Sequence, residues 1–307
     1  MSRAEAGEQA AWNMFWEQNA RGGGSGCLPQ SWQVIEDAQR GAWREFAHGI
    51  PEGGAVLDLA TGDGRVLAWI ASGRSDLALT GVDLAPTLPP PPPNVALRTG
   101  IAMEALPFAD GSQDAVTSQF GFEYGDTART AAEIARVLKP EGKIGLMMHR
   151  GDGPIVAHNR IRREQLIWAL RTKAIVARTR EAIAGGADLA NAEPYASATA
   201  VEGHERFGQS SPAWEIPEAV RRTLMMGARA GHQFVRDTLD AIEAQAGNEI
   251  GRIDALIRAS TVADDRETIA DRFGAADISL IETRPLRTTT GEPFADFLTF
   301  QKNKIAP

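Results

Sequence analysis

Apolar residues change their spacing three times along the chain. Over the first fifty positions they recur every three or four residues. Trp12, Phe15 and Trp16 come first, and Trp32, Ile35, Ala38, Ala42, Trp43 and Phe46 follow a glycine-rich break, RGGGSG. This spacing predicts helices with one apolar face, whose tryptophans serve either the core or a lid over a substrate. From Ala55 short apolar runs take over: AVLDLA, LALTGVDL, VALRTG, DAVTSQF and KIGLMMHR read as strands, with helices predicted at RVLAWIAS and TARTAAEIARVLKP. Strands alternating with helices predict an α/β fold, a doubly wound, mostly parallel sheet with helices on both faces. Helical spacing returns in IVAHNRIRREQLIWALRTKAIVARTREAI and PEAVRRTLMMGARAGHQFVRDTLDAIEAQA, separated by an expected loop around NAEPYASATAVEGHERFGQSSP. DRFGAADISLIETRPL and FADFLTFQKNK then resume strand texture. The expected organisation is an N-terminal helical segment over 1–50, a sheet domain formed by 51–150 and 271–307, and a helical insertion over 151–270.

Composition narrows the class. With 307 residues and 43% hydrophobic content the chain can bury a sizeable core. A net charge of −8 argues against nucleic acid as the main partner, because binding phosphates needs a basic surface. The local basic cluster Arg160, Arg162, Arg163, Arg171, Lys173, Arg178 and Arg180 reads as the solvated face of one helix. A single cysteine, Cys27, allows no intrachain disulfide and fits a reducing compartment. The N-terminal stretch lacks the basic start and apolar run of a signal peptide, and no run of about 18 apolar residues is present. The expectation is a soluble, cytoplasmic protein with no membrane span.

The sharpest chemical signal is VLDLATGDGR, Val56 to Arg65: a strand ending in an acid, then a glycine turn into a helix. Glycines at such a turn let a ligand approach the backbone, and a helix start adds partial positive charge. A dinucleotide site asks for G-x-G-x-x-G, but Leu67 stands where the third glycine belongs. That opposes a nicotinamide oxidoreductase. Asp58 is also ill-suited to a pyrophosphate and well suited to a ligand with a positively charged amino-acid end. Asp83 follows at the end of the next predicted strand, where a carboxylate can accept from both hydroxyls of a ribose. S-adenosylmethionine combines these features: an ammonium and a sulfonium, a ribose and adenine, and no phosphate.

The order and spacing of VLDLATGDG, GVDLAP, AMEALPFADGSQDAVTSQFGFEY and AAEIARVLKPEGKIGLMMH resemble the class I S-adenosylmethionine-dependent methyltransferases, in particular the small-molecule group that includes ubiquinone-biosynthesis-like enzymes. The resemblance covers residues 40 to 150 and returns over the last 35 or so. It implies that Asp58 and the backbone of Ala60, Thr61, Gly62 and Gly64 meet the methionine end, with Asp83 and Leu84 at the ribose. It also implies Ala102 and Met103 at the adenine, and Gln119 and Phe120, after Ser118, beside the methionine moiety. Two departures stand out. Ala60 replaces a usual glycine, which implies a slightly displaced cofactor. Ala102 replaces the aspartate that accepts from the adenine amino group, a hydrogen bond worth about 1 kcal/mol.

The five prolines 89–93 fall where relatives carry a helix. They cannot form a helix interior, and a polyproline run can span the distance instead. Pro140 and Gly142 read as turn residues.

The implied activity is methyl transfer to a small, fairly apolar acceptor. The alternative is a catalytically silent S-adenosylmethionine-binding partner or sensor. Strand-end candidates for a base are His149, Tyr124 and Glu123, with His158, His204 and His232 in the insertion. His149 ranks first because it ends a predicted strand at the ligand-binding edge. No metal-ligand spacing is present. The insertion is expected to act as a cap or as a dimerisation surface, the latter implying a homodimer.

Overall fold

The computed structural model describes residues 3–22 and 33–304; Cys27 and Trp32 lie outside them. Two helices lead, α1 (Arg3–Gly22) and α2 (Gln33–Ala47). Then come β1 (Ala55–Leu59), α3 (Arg65–Ala71), β2 (Ala78–Val82), β3 (Val95–Arg98), β4 (Gln113–Gln119), α4 (Thr127–Val137) and β5 (Leu138–His149). After five further helices, α10 (Arg266–Gly274) leads into β6 (Ile278–Arg287) and β7 (Pro293–Lys302).

Among the described residues the strands form one sheet in the order β3-β2-β1-β4-β5-β7-β6. The first five run parallel, and β7 lies antiparallel to both β5 and β6. The expected mostly parallel α/β sheet is therefore present. Its central strands are continuous apolar runs because both of their faces are covered. On β1 and β4, Val56 and Ala115 point into one core with Trp43, Phe46, Ile70 and Phe297. Their neighbours Leu57 and Val116 point into the other, with Ile134, Phe273 and Phe300. Trp43 and Phe46 of α2 meet Phe297 edge-on, so this pair of predicted helical aromatics serves the core.

The proline run behaves as expected in one respect: no helix intervenes between β2 and β3. It does more than span distance, since the Pro92 ring packs against the position where Gly64 would carry a side chain. Pro140 and Gly142, read as turn residues, instead fall within β5, where β4 and β5 shift register between Gln113 and Ala115 and Glu141 takes the left-handed backbone (φ 64°).

Residues up to Ala157 and from Ala255 onward form one unit, and His158–Asp254 form a second. The helical reading of the second needs correction in three places. The basic cluster does not lie on one helix: α5 (Pro154–Ile167) gives way to a π-helical turn at Trp168–Thr172 before α6 (Ile175–Ala182). Four of its members are engaged in ion pairs, Arg162 with Glu249, Arg163 with Asp254, Lys173 with Glu202, and Arg180 with Asp240 and Glu243. The expected loop around residues 191–212 contains α7 (Glu193–Phe207), opened by Pro194 in its first turn, where proline is tolerated. Gly203 lets α7 approach α8 closely, since a Cβ there would meet the Ala213 carbonyl. Finally, α8 (Pro212–Ala230) and α9 (His232–Asp264) are separate helices, divided at Gly231 with φ 87°. DRFG, read as strand texture, ends α10 instead.

Candidate active site

β1 delivers Asp58 to the carboxyl edge of the sheet, in register with Thr117 of β4 and Gly81 of β2. Its side chain is buried, and its Oδ1 accepts from the Thr117 hydroxyl at 2.7 Å. Burial pushes the carboxyl up to about 7; the nearby Thr61 hydroxyl and the hydrogen bond from Thr117 pull it back, and the charges of Asp83 and Asp63 add to the rise.

The chain leaves β1 through a turn in which Ala60, Gly62 and Gly64 all have positive φ, 51°, 54° and 73°. Alanine at the first of these bears a strain of about 1–2 kcal/mol that glycine would not. The turn is tied down by its own amides: Thr61 N–H donates to the Val82 carbonyl, Gly62 N–H to Asp83 Oδ2 and Gly64 N–H to the Thr61 carbonyl. Asp63 and Arg65 form a fork at its far side.

Asp83 accepts from Gly62 N–H at 3.0 Å and from Ala85 N–H at 2.9 Å, and burial raises its carboxyl. Leu84 beside it is exposed. The Ile101 amide donates to the Asp83 carbonyl, which brings Ala102 and Met103 next to the same edge. Met103 packs at Gly125.

β4 ends in a second tight departure. Gln119 Oε1 accepts from the Trp43 indole at 2.7 Å, and Phe120 adopts φ 54° with its amide held by the Met147 carbonyl. Gly121 then passes so close to Ala60 that a Cβ would lie 2.5 Å from the alanine methyl. A 3-10 turn, Phe122–Tyr124, places Glu123 under the end of β5. Glu123 Oε1 accepts from both the backbone N–H and the ring Nδ1 of His149, at 3.0 and 2.8 Å. Both side chains are buried, and Glu123 Oε2 has no partner. Phe120 stacks on the imidazole with centroids 4.2 Å apart, and Tyr124 meets it edge-on at 5.9 Å.

The three strand-end candidates for a base are thus one cluster, with Glu123 and His149 hydrogen-bonded to each other. Of the other histidines, His204 lies in the last turn of α7 and His232 Nε2 donates to the Ala187 carbonyl. Among the described residues no group of His, Cys, Asp and Glu is arranged to hold a metal. The sequence reading left three tryptophans between core and lid, and their contacts are now visible: Trp43 at Gln119, Trp16 against Gly62, and Trp12 edge-on to Tyr124. Their helical spacing marks an apolar face without saying what it covers.

The description "Methyltransferase domain" matches residues 57–146. A ubiquinone/menaquinone biosynthesis C-methyltransferase of Geotalea uraniireducens is 34% identical over 116 residues, 33% of this chain and 49% of that protein. A demethylmenaquinone methyltransferase of Thermus thermophilus is 34% identical over 29% of this chain and 44% of that protein. The chain therefore spans about half the length of these curated relatives. A putative methyltransferase solved with the Haloferax volcanii Trm112 activator is 15% identical, with a TM-score of 0.46 over 98% of this chain and 97% of that one. The acid-ended β1, the glycine turn, Asp83 after β2 and the ordered motifs agree with the matched segment: residues 57–146 are a methyltransferase domain of the class I S-adenosylmethionine-dependent family.

Proposed function

We propose that the protein transfers the methyl group of S-adenosylmethionine to a small, fairly apolar acceptor, with His149 as the base and Glu123 as its positioning residue. The donor set fits this cofactor. Two buried carboxylates, Asp58 and Asp83, face a glycine turn, and the neighbouring Arg65 is neutralised by Asp63. Such a site favours a ligand with a cationic amino-acid end and a ribose over one carrying phosphates. When bound, the cofactor supplies an electrophilic methyl whose departing electron pair stays on sulfur.

The observation that carries the reading is the Glu123–His149 pair. With Nδ1–H donated to the carboxylate, the imidazole keeps its Nε2 lone pair for a proton on the acceptor's attacking atom. Phe120 and Tyr124 hold the ring plane and keep water from it. In this reading Asp58, Ala60, Thr61, Gly62 and Gly64 hold the methionine end, Asp83 and Leu84 the ribose, and Ala102 and Met103 the adenine. The helical insertion supplies either a cap with acceptor contacts or a dimer surface.

The test is turnover with a responsive acceptor. His149→Asn should lower kcat by about 10²-fold or more, the usual range for a general base, with cofactor affinity unchanged. Glu123→Gln should lower kcat less and shift the pH–rate profile, because it keeps an acceptor for Nδ1 but removes the charge. Full kcat in His149→Asn would refute the role of the base.

A further inference from the structure

Strand alternation places Thr117 and Gln119 of β4 on one face, the face on which Ala115 meets α2. Asp58 is in register with Thr117, so Asp58 and Gln119 stand on the same face about two residues, roughly 7 Å, apart along the sheet. Trp43 reaches down from α2, fully buried and held by Phe46 and Phe297, and its indole donates to Gln119 Oε1 at 2.7 Å.

An indole N–H is only a donor, so it can meet only the carbonyl end of the amide. That fixes which way the glutamine faces, and its Nε2 hydrogens are turned away from Trp43. Among the described residues no group accepts from Nε2, and Gln119 is only half-buried.

Most amides of the glycine turn are already engaged within the protein. Those of Thr61, Gly62 and Gly64 are already spent on Val82, Asp83 and Thr61, and that of Arg65 on Asp63. The Arg65 guanidinium is likewise engaged by Asp63. A carboxylate brought beside the buried Asp58 needs donors.

We propose that Trp43 sets the orientation of Gln119 so that its Nε2 donates to the carboxylate of the cofactor's amino-acid end, while Asp58 faces the ammonium. This rests on the methyl-donor reading and adds a recognition role for α2. The zwitterionic end is then read by one acceptor and one donor of fixed orientation, which discriminates against ligands that end at the thioether.

Calorimetry with two ligands tests this: S-adenosylhomocysteine, and 5′-methylthioadenosine, which lacks the amino acid. Gln119→Leu should weaken S-adenosylhomocysteine about tenfold and leave methylthioadenosine unchanged. Gln119→Glu should weaken it further, because it sets a carboxylate against a carboxylate. Trp43→Phe should cost S-adenosylhomocysteine a few-fold in the wild-type background and nothing further in the Gln119→Leu background. A purely structural role for Trp43 would not give that dependence.

Equal losses for both ligands, or undiminished S-adenosylhomocysteine binding in Gln119→Leu, would overturn the assignment while leaving the cofactor reading intact. If the wild-type protein bound neither ligand, the methyl-donor reading would fall, and this proposal with it.

Discussion

Asp58 should make cofactor affinity depend on pH in a range where ordinary aspartates are silent. Burial pushes its carboxyl up to about 7 in the free protein. Only the ionised form attracts an ammonium. Between pH 5.5 and 7 its ionised fraction rises from about 0.03 to about one half, and the ligand's α-ammonium, with a pKa near 8, stays charged. Affinity for S-adenosylhomocysteine should therefore rise roughly fifteenfold over that interval. Calorimetry in two buffers of different ionisation enthalpy would also show proton release at the low end. Asp83 is raised too; in the proposed reading it serves the ribose, which methylthioadenosine shares, so that ligand separates the two acids. Asp58→Asn should bind S-adenosylhomocysteine weakly and with no acid limb. The same acid cost appears in stability with a definite sign. Because the folded pKa lies above the unfolded one, stability falls as pH rises from about 4 to about 7. Asp58→Asn should therefore be the more stable apoprotein at pH 8, by at most about 4 kcal/mol, and show little difference at pH 4. A flat affinity profile in the wild type, an equal limb for methylthioadenosine, or a limb that survives Asp58→Asn would refute the reasoning.

Two further outcomes follow from packing. Gln39 of α2 is fully buried and neither its amide oxygen nor its nitrogen has a partner, so Gln39→Leu should raise stability by about 1–3 kcal/mol in denaturant melts; a lower midpoint would mean that the amide's shape matters more than its polarity. Replacing residues 89–93 by a glycine-serine linker should leave cofactor affinity within a few-fold and lower the melting temperature, through a freer unfolded chain and the lost contact of Pro92 with Gly64; loss of binding in a folded variant would show that the prolines shape the adenine side.

Local signals survived folding well. The strands β1, β2, β4 and β5 were legible because a strand covered on both faces must be apolar throughout, and the acid–glycine turn because its parts are contiguous. The helical stretches were less legible at their ends. α7 hides in a segment with Pro194, Gly203 and several small residues, which reads as a loop until its packing against α8 is seen. Likewise, a continuous apolar pattern does not disclose the break at Gly231 or the π-helical turn at Trp168–Thr172, where backbone geometry departs and side-chain spacing does not.

By itself the sequence determined the α/β class and the chemical type of cofactor, and it singled out the acid-ended strands and glycine turn, because each depends on residues close together in the chain. The tertiary structure alone decided which of these residues act on one another. Glu123 and His149 are 26 positions apart and Trp43 and Gln119 are 76 apart, and only the register of β4 and β5 and the packing of α2 bring them into hydrogen-bonding range. It also decided the state of Asp58: an aspartate's pKa is set largely by how much water surrounds it, and the flanking strands β2 and β4, distant in sequence, help to bury it.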